Sequence, residues 1–112
     1  MTDLMHGDDL VIKEENINKA SKALKAMGHP LRLKILCVIG ENELPVMDIV
    51  KQVGTTQSNI SQHIDILREK EIITSRREGS KILCKVRDKN ILKLMGVMQA
   101  TFCQVEFKEA AQ

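Results

Sequence analysis

Residues 55–68 combine a helix cap, one apolar stripe and one face of short polar side chains. At 100° per residue, Ile60, Ile64 and Leu67 point to one side of the helix. The opposite side carries small hydrogen-bonding groups: Ser58, Ser61, Gln62 and Asp65. A helix face that is only solvated usually carries long Lys and Glu side chains, whereas these short groups can reach phosphates and base edges. The segment therefore predicts a helix that packs on a core with one side and contacts a nucleic acid with the other.

The residues before this helix predict how it begins. A short helix is expected from Val46 to Val53, and Gly54 is a natural C-terminal stop for it. Thr56 is the expected N-cap of the polar-faced helix. Two helices joined by a short turn that contains glycine are typical of a helix-turn-helix.

Three further helices are expected around this unit. Two of them precede it, from Lys13 to Met27 and from Leu31 to Ile39, and Gly40 ends the second. The last begins after Asp88 as N-cap. Its apolar stripe consists of Ile91, Met95, Met98, Phe102 and Val105.

After residue 71 the apolar period changes from helical to alternating, which predicts strands at 72–77 and 81–86 joined by a tight turn. The fold class is therefore mainly α with a β-hairpin wing. It is a winged helix-turn-helix with five main helices in the order α-α-α-α-β-β-α. Residues 13–107 form this domain, and residues 1–12 and 108–112 are expected to be flexible ends.

Composition limits the classes of protein that the chain can belong to. At 112 residues it is one domain, and its core must be aliphatic because Phe102 and Phe107 are the only Phe, Tyr or Trp residues. No run approaches the roughly 20 apolar residues of a membrane-spanning helix, and the acidic N-terminus does not resemble a signal peptide. Three cysteines without framework spacing indicate a cytoplasmic protein rather than a secreted one. The lack of a long apolar run also predicts that there is no membrane partner.

The net charge of +2 is distributed unevenly. Residues 1–16 contain five acids and one base, whereas residues 68–93 contain nine bases and four acids. A run of charge is usually just a solvated surface. Here the basic segment directly follows the polar-faced helix, which favours a patch that faces phosphates. Three bases flank the predicted turn of the wing: Arg76, Arg77 and Lys81.

These elements, in this order, resemble the ArsR/SmtB family of bacterial repressors. The similarity lies in the Leu31-Arg32-Leu33-Lys34-Ile35-Leu36 segment, the Gln57-Ser58-x-x-Ser61-Gln62-His63 helix and the Arg77-Glu78-Gly79 wing. It extends over residues 17–105. No single piece is specific for the family, but the ordered set is.

The resemblance implies a transcriptional repressor rather than an enzyme, and a homodimer whose first and last helices form the interface. Two recognition helices would then read a double-stranded operator with an inverted repeat. DNA contacts are expected from the polar-faced helix and the wing: Thr56, Gln57, Ser58, Ser61, Gln62, His63, Arg76, Arg77 and Lys81. Among them His63 lies at the edge of the apolar stripe, where a packed, hydrogen-bonded histidine is favoured over a base reader.

Two metal sites that are common in that family do not match this sequence. The arsenic-type site resembles Glu-Leu-Cys-Val-Cys-Asp, and the matching segment Glu43-Leu44-Pro45-Val46-Met47-Asp48 lacks both thiolates. The zinc-type site needs an Asp-x-His pair and two later His or carboxylate ligands. The matching positions hold Asp88, Asn90, Thr101 and Gln104, which supply no nitrogen ligands for zinc. Neither a metal nor another cofactor is therefore expected.

Two cysteines remain as candidate sensor residues. Cys37 in the second helix and Cys103 in the last resemble the dithiol of a persulfide- and redox-sensing subgroup of that family, the HlyU- and BigR-like repressors. The resemblance implies that the two sulfurs meet within one subunit, although 66 positions separate them, and that a reactive sulfur species or an oxidant is the inducer. The alternative is that both cysteines merely pack, as free cysteines often do.

Other functions stay open at this point. The same two cysteines could hold Cu(I) or As(III) in a soft-metal sensor, or the chain could be a constitutive DNA-binding regulator without an inducer. A small thiol enzyme is disfavoured because there is no Cys-x-x-Cys and no evident acid–base partner near either cysteine. Cys84 alternates with Ile82 and Val86, which predicts partial burial in a strand.

Overall fold

The computed structural model describes residues 13–103. Its elements, in chain order, are α1 (Glu14–Met27), α2 (Pro30–Ile39), β1 (Glu43–Pro45), α3 (Val46–Val53), α4 (Gln57–Glu69), β2 (Ile73–Glu78), β3 (Lys81–Val86) and α5 (Lys89–Phe102). The predicted winged helix-turn-helix with five helices and a hairpin wing is confirmed. The expected flexible ends, 1–12 and 108–112, and the end of the expected domain, 104–107, lie outside the described residues. None of the described helices is long and apolar enough to cross a membrane.

The residues that were expected to start and stop helices do so. Gly54 adopts φ 87° at the end of α3, a left-handed conformation that glycine tolerates without strain. Thr56 caps α4, since its hydroxyl accepts a hydrogen bond from the amide of Asn59 at 3.1 Å. Asp88 caps α5 in the same way, accepting from the amide of Asn90 at 2.7 Å. Local capping chemistry therefore fixes both ends of the turn between α3 and α4.

The structure adds a strand to the predicted hairpin. The three residues of β1 pair antiparallel with β3, so the sheet has the order β1-β3-β2. Pro45, opposite Leu83, has no backbone N–H to donate, which is compatible only with a strand at the edge of a sheet. The wing is thereby attached to the segment that leads directly into α3.

The core is aliphatic, as the composition predicts. Ile60 and Leu67 are fully buried and Ile64 is 2% exposed, so the whole apolar stripe of α4 faces inward. It packs against α2, α3 and β2, with the buried side of the sheet behind it. Burial of this kind stabilises the fold by about 1.5–3 kcal/mol for each large aliphatic side chain.

The first and last helices are less well covered. Of the expected stripe on α5, Met95 is buried, but Met98 is 46% and Phe102 72% exposed. Ile17 and Leu24 of α1 are also about half exposed. A single copy of the chain therefore leaves an apolar surface on α1 and α5 in water.

Candidate nucleic-acid interface and thiol pair

A groove of about 560 Å³ separates α4 from the turn of the wing. Gln57 and Ser61 line it from α4, and Lys81 lines it from the start of β3. Lys51 of α3 lies at the same groove and was not among the predicted residues. The structure thus brings together parts of the two segments, helix and wing, that were expected to contact DNA.

The predicted residues of α4 and its N-cap lie around the first two turns of the helix. Thr56, Gln57, Ser58 and Gln62 are exposed, and Ser61 is half-buried. Thr56 uses its hydroxyl to cap the helix, so its main contribution is to position the start of α4. The remaining four side chains present amide and hydroxyl groups on the surface opposite the buried stripe.

A cluster of side chains that the sequence did not predict joins α4 to β2. Arg68 forms an ion pair with Asp65, one turn earlier in α4. Its Nη1 also donates a hydrogen bond to the Ser75 hydroxyl in β2 at 3.1 Å. Asp65 and Arg68 both line the groove. Arg68 therefore connects the helix to the wing at the edge of the surface expected to face DNA.

The two arginines of the wing lie on opposite faces of the sheet. Arg76 donates from Nε and Nη2 to both carboxylate oxygens of Glu43, at 2.9 and 2.8 Å. This hydrogen-bonded pair lowers the pKa of the Glu43 carboxyl and raises that of the Arg76 guanidinium. Arg77 lies opposite Ile82, which lines the groove. Residues directly across an antiparallel pair share a face, so Arg77 is on the groove side.

His63 packs against Arg32 of α2 and against His29, the N-cap of α2. Nη1 of Arg32 donates to Nδ1 of His63 at 3.2 Å, and the His29 ring lies 4.6 Å from the His63 ring between centroids. Burial lowers the pKa of His63, and the nearby charges of His29 and Arg32 lower it further. His29 also accepts from the amide of Leu31 at 3.1 Å as the N-cap of α2. This geometry favours the packed role for His63 over base reading.

The three cysteines are free thiols with different surroundings. Cys37 in α2 and Cys103 at the end of α5 are exposed, whereas Cys84 in β3 is fully buried, more than its strand position predicted. Partial burial raises the pKa of the Cys37 thiol, and the charge of Cys103 raises it further. The charges of the two thiols therefore interact, which sequence alone could not establish.

The environment of Cys84 is different. Burial raises the pKa of its thiol most strongly, and a hydrogen bond with the Ser75 hydroxyl at 3.5 Å acts in the opposite direction. A buried thiol with a raised pKa is a poor nucleophile. Within residues 13–103, no three His, Cys, Asp or Glu side chains are close enough to form a metal-binding cluster.

The helix-turn-helix of this chain is similar to that of a known protein family. The profile of the family described as "Bacterial regulatory protein, arsR family" matches residues 29–75, from the N-cap of α2 into β2. This segment contains the helix-turn-helix and the connection to the wing.

Several characterised proteins are similar over most of the chain. A biofilm growth-associated repressor from Xylella fastidiosa is 30% identical over 93 residues, which are 83% of this chain and 82% of that protein. The transcriptional activator HlyU from Vibrio cholerae is 31% identical over 91 residues, with 81% and 84% covered. The crystal structure of the transcriptional repressor BigR from Xylella fastidiosa superposes with a TM-score of 0.77 at 29% identity, covering 90% of this chain and all of that one.

Proposed function

Since this chain belongs to the arsR family of bacterial regulatory proteins, and so is a DNA-binding regulator of transcription, we propose that it is a thiol-switched repressor. In this proposal a homodimer binds an operator with an inverted repeat while Cys37 and Cys103 are reduced. Linking the two sulfurs weakens that binding. The observation that carries the switch is the pair of exposed thiols, on α2 and α5, whose charges interact.

The groove between α4 and the wing supports the DNA-binding part. Its lining combines hydroxyl and amide groups from α4 with the ammonium groups of Lys51 and Lys81. Short polar groups suit base edges in the major groove, and lysines suit phosphates on either side. Gln57, Ser58, Ser61 and Gln62 would contact bases or phosphates, and Arg77 and Lys81 would hold the backbone. Arg76 would have to exchange Glu43 for a phosphate to do the same.

The uncovered apolar faces of α1 and α5 support the homodimer. Exposed side chains of this size, collected on two helices, are typical of an interface between proteins. Two-fold pairing through these helices would cover both copies at once. It would also present two α4 helices to half-sites about 34 Å apart on DNA.

The sulfur chemistry needs an oxidant of one of two classes. With a peroxide, a thiolate of the pair attacks oxygen and becomes a sulfenic acid as hydroxide leaves. The second thiol then attacks that sulfur and water leaves, so two electrons pass from the pair to the peroxide. With an organic persulfide, the thiolate takes the terminal sulfur and a thiol leaves. The second thiol then displaces hydrogen sulfide and forms the same disulfide.

The placement of the two cysteines suggests how the bridge reaches DNA. Cys37 lies in α2, which packs against both helices of the helix-turn-helix. Cys103 caps the C-terminal end of α5, next to the exposed Phe102. A covalent link between them would pull the end of α5 toward α2 and change the dimer face. Coupling of this kind typically changes DNA affinity by about 5–150-fold.

One set of measurements tests the proposal. The operator is first selected from a random DNA pool with the reduced protein, and its affinity is then measured for reduced, peroxide-treated and persulfide-treated protein. Mass spectrometry should find a Cys37–Cys103 bridge after either treatment. Because the pKa of Cys37 is raised, the bridge should also form faster as the pH increases above neutrality.

Single substitutions provide the controls. Cys37→Ser and Cys103→Ser should keep reduced-state binding and lose the response, whereas Cys84→Ala should respond like the unchanged protein. If either of the first two variants still responds fully, the dithiol assignment fails. A soft-metal sensor would instead be indicated by thiolate charge-transfer absorption and operator release on adding Cu(I) or As(III) to the reduced protein.

A further inference from the structure

The surface expected to face DNA contains a carboxylate among its hydroxyl and amide groups. Asp65 lies one helical turn beyond Ser61, and both residues line the groove between α4 and the wing. Its side chain is 66% exposed. A carboxylate pointing toward a duplex is repelled by the phosphates, so its presence on this surface needs a compensating interaction.

Arg68 supplies that compensation. It pairs with the Oδ1 atom of Asp65 and donates to Ser75 of β2 at 3.1 Å, so a neighbouring cation held from two elements cancels the charge of the carboxylate. Within residues 13–103, the Oδ2 atom of Asp65 forms no hydrogen bond. Oδ2 is therefore free to accept a hydrogen bond from a group in the groove that Asp65 lines, while Oδ1 is held by Arg68.

The chemistry of base edges identifies what such an oxygen can recognise. In the major groove, a carboxylate can only accept a hydrogen bond, and the exocyclic N4 amino group of cytosine is a donor that aspartate and glutamate pair with. The carbonyl and ring-nitrogen acceptors of guanine repel it. A carboxylate whose charge is already neutralised thus distinguishes the cytosine of a C·G pair from the guanine.

We propose that Asp65 is a specificity-determining residue that reads a cytosine in each operator half-site, with Arg68 and Ser75 as the residues that position it. The inference rests on the proposed DNA-binding function, whose residues on α4 lie one to two turns closer to the N-terminus. It is independent of the thiol switch, and all tests use the reduced protein.

The test is selection of binding sites from a pool with randomised half-sites, repeated for the unchanged protein, Asp65→Ala and Asp65→Asn. The unchanged protein should prefer cytosine about tenfold at one position of each half-site. Asp65→Ala should lose that preference and keep those at the other positions. Asp65→Asn should prefer adenine there, because an amide can both donate to N7 and accept from N6.

A second pair of variants distinguishes the residue that reads the base from the residues that position it. Ser75→Ala should weaken the cytosine preference without replacing it, because Arg68 would still neutralise Asp65. Arg68→Ala should reduce affinity for all sequences, because the carboxylate would then be uncompensated near phosphates. Thermal unfolding of each variant shows whether the fold is retained, which is expected since Asp65 and Arg68 are on the surface.

Three results would overturn the inference. Asp65→Ala could keep every base preference, or could bind all sequences more tightly by the same factor, in which case Asp65 only repels DNA. The affected position could prefer guanine and respond to Arg68→Lys, in which case Arg68 is the reader. Failure of the unchanged protein to select any sequence would instead refute the proposed function itself.

Discussion

Helices α4 and α5 have the same design in sequence, a side-chain N-cap followed by an apolar stripe, yet the structure treats them differently. The stripe of α4 is buried completely, whereas Met98 and Phe102 of the stripe of α5 remain in water. The side of the molecule formed by α4 and the wing is thus complete in one chain. The side formed by α1 and α5 is not, and it carries Cys103 at its end. The difference predicts that the half with α4 is a fixed scaffold and that the half with α1 and α5 pairs with a second copy.

The largest expected effect comes from breaking the complete side. Leu67→Ala removes a fully buried side chain from the stripe of α4 and leaves a cavity in the core. The free energy of unfolding should fall by about 3 kcal/mol, measured by urea denaturation. Ala100→Ser on the exposed surface of α5 is a suitable control and should change it by less than about 0.5 kcal/mol. An equal loss in both variants would mean that the two helices are not differently packed.

The next effect tests the incomplete side. Met98→Glu places a charge on the exposed stripe of α5 and should raise the dimer dissociation constant at least about a hundredfold, because burying an unpaired charge is costly. Analytical ultracentrifugation measures it. Ala100→Glu adds the same charge about half a helical turn away and should leave the dimer intact. Unchanged dimerisation of Met98→Glu would show that α5 does not form the interface.

A smaller effect distinguishes the two faces of the wing. Arg77→Ala should weaken operator binding about fivefold and reduce the slope of log affinity against log salt by about one, since one phosphate contact is lost. Arg76→Ala should have less effect, because Arg76 is bound to Glu43 on the other face. Titrations at several salt concentrations measure both. A larger effect at Arg76 would mean that the ion pair opens on DNA.

The smallest effect concerns the contact between α2 and α4. The folded-state pKa of His63 lies below its ordinary value near 6.5, because of burial and then His29 and Arg32. As the pH falls through 6.5, the unfolded chain takes up a proton more readily than the folded one, so stability decreases; it levels off below the folded pKa. The loss should be about 0.5 kcal/mol or less, because solvent screens a ring that is only half-buried.

His63→Gln is the matched variant for this pH dependence. It keeps an acceptor for Arg32 but cannot titrate, so urea denaturation at pH 7.5 and pH 5.5 should show a smaller difference than in the unchanged protein. Arg32 also donates to the Ala26 carbonyl at the end of α1. Its contact with His63 therefore connects α4, on the complete side of the molecule, with α1, on the incomplete side. If His63→Gln lost as much stability between pH 7.5 and pH 5.5 as the unchanged protein, His63 would not be the titrating group.

Sequence predicted those parts of the fold that depend on local chemistry. The caps at Gly54, Thr56 and Asp88 are set by the residues themselves, so the boundaries of α3, α4 and α5 could be placed closely. Strand β1 could not, since three residues have no period to detect and one of them is Pro45. Its pairing exists only because β3 provides the partner edge.

The candidate site was predicted in part for the same reason. The polar face of α4 follows from helical spacing, but the link from Arg68 to Ser75 depends on how α4 docks on β2. The contacts of His63 with Arg32 and His29, and of Arg76 with Glu43, join residues more than 30 positions apart. No periodicity in a single sequence reports such contacts. The interaction between the charges of Cys37 and Cys103 is of this kind as well.

The short strand β1 also limits how the sheets of neighbouring copies can pair. A free sheet edge offers unpaired amides and carbonyls to any extended chain that arrives, which is a common route to aggregation. Here that edge is only three residues long and ends in Pro45, which has no amide hydrogen to offer. Copies of the protein that crowd together on neighbouring stretches of DNA therefore cannot readily join their sheets through β1.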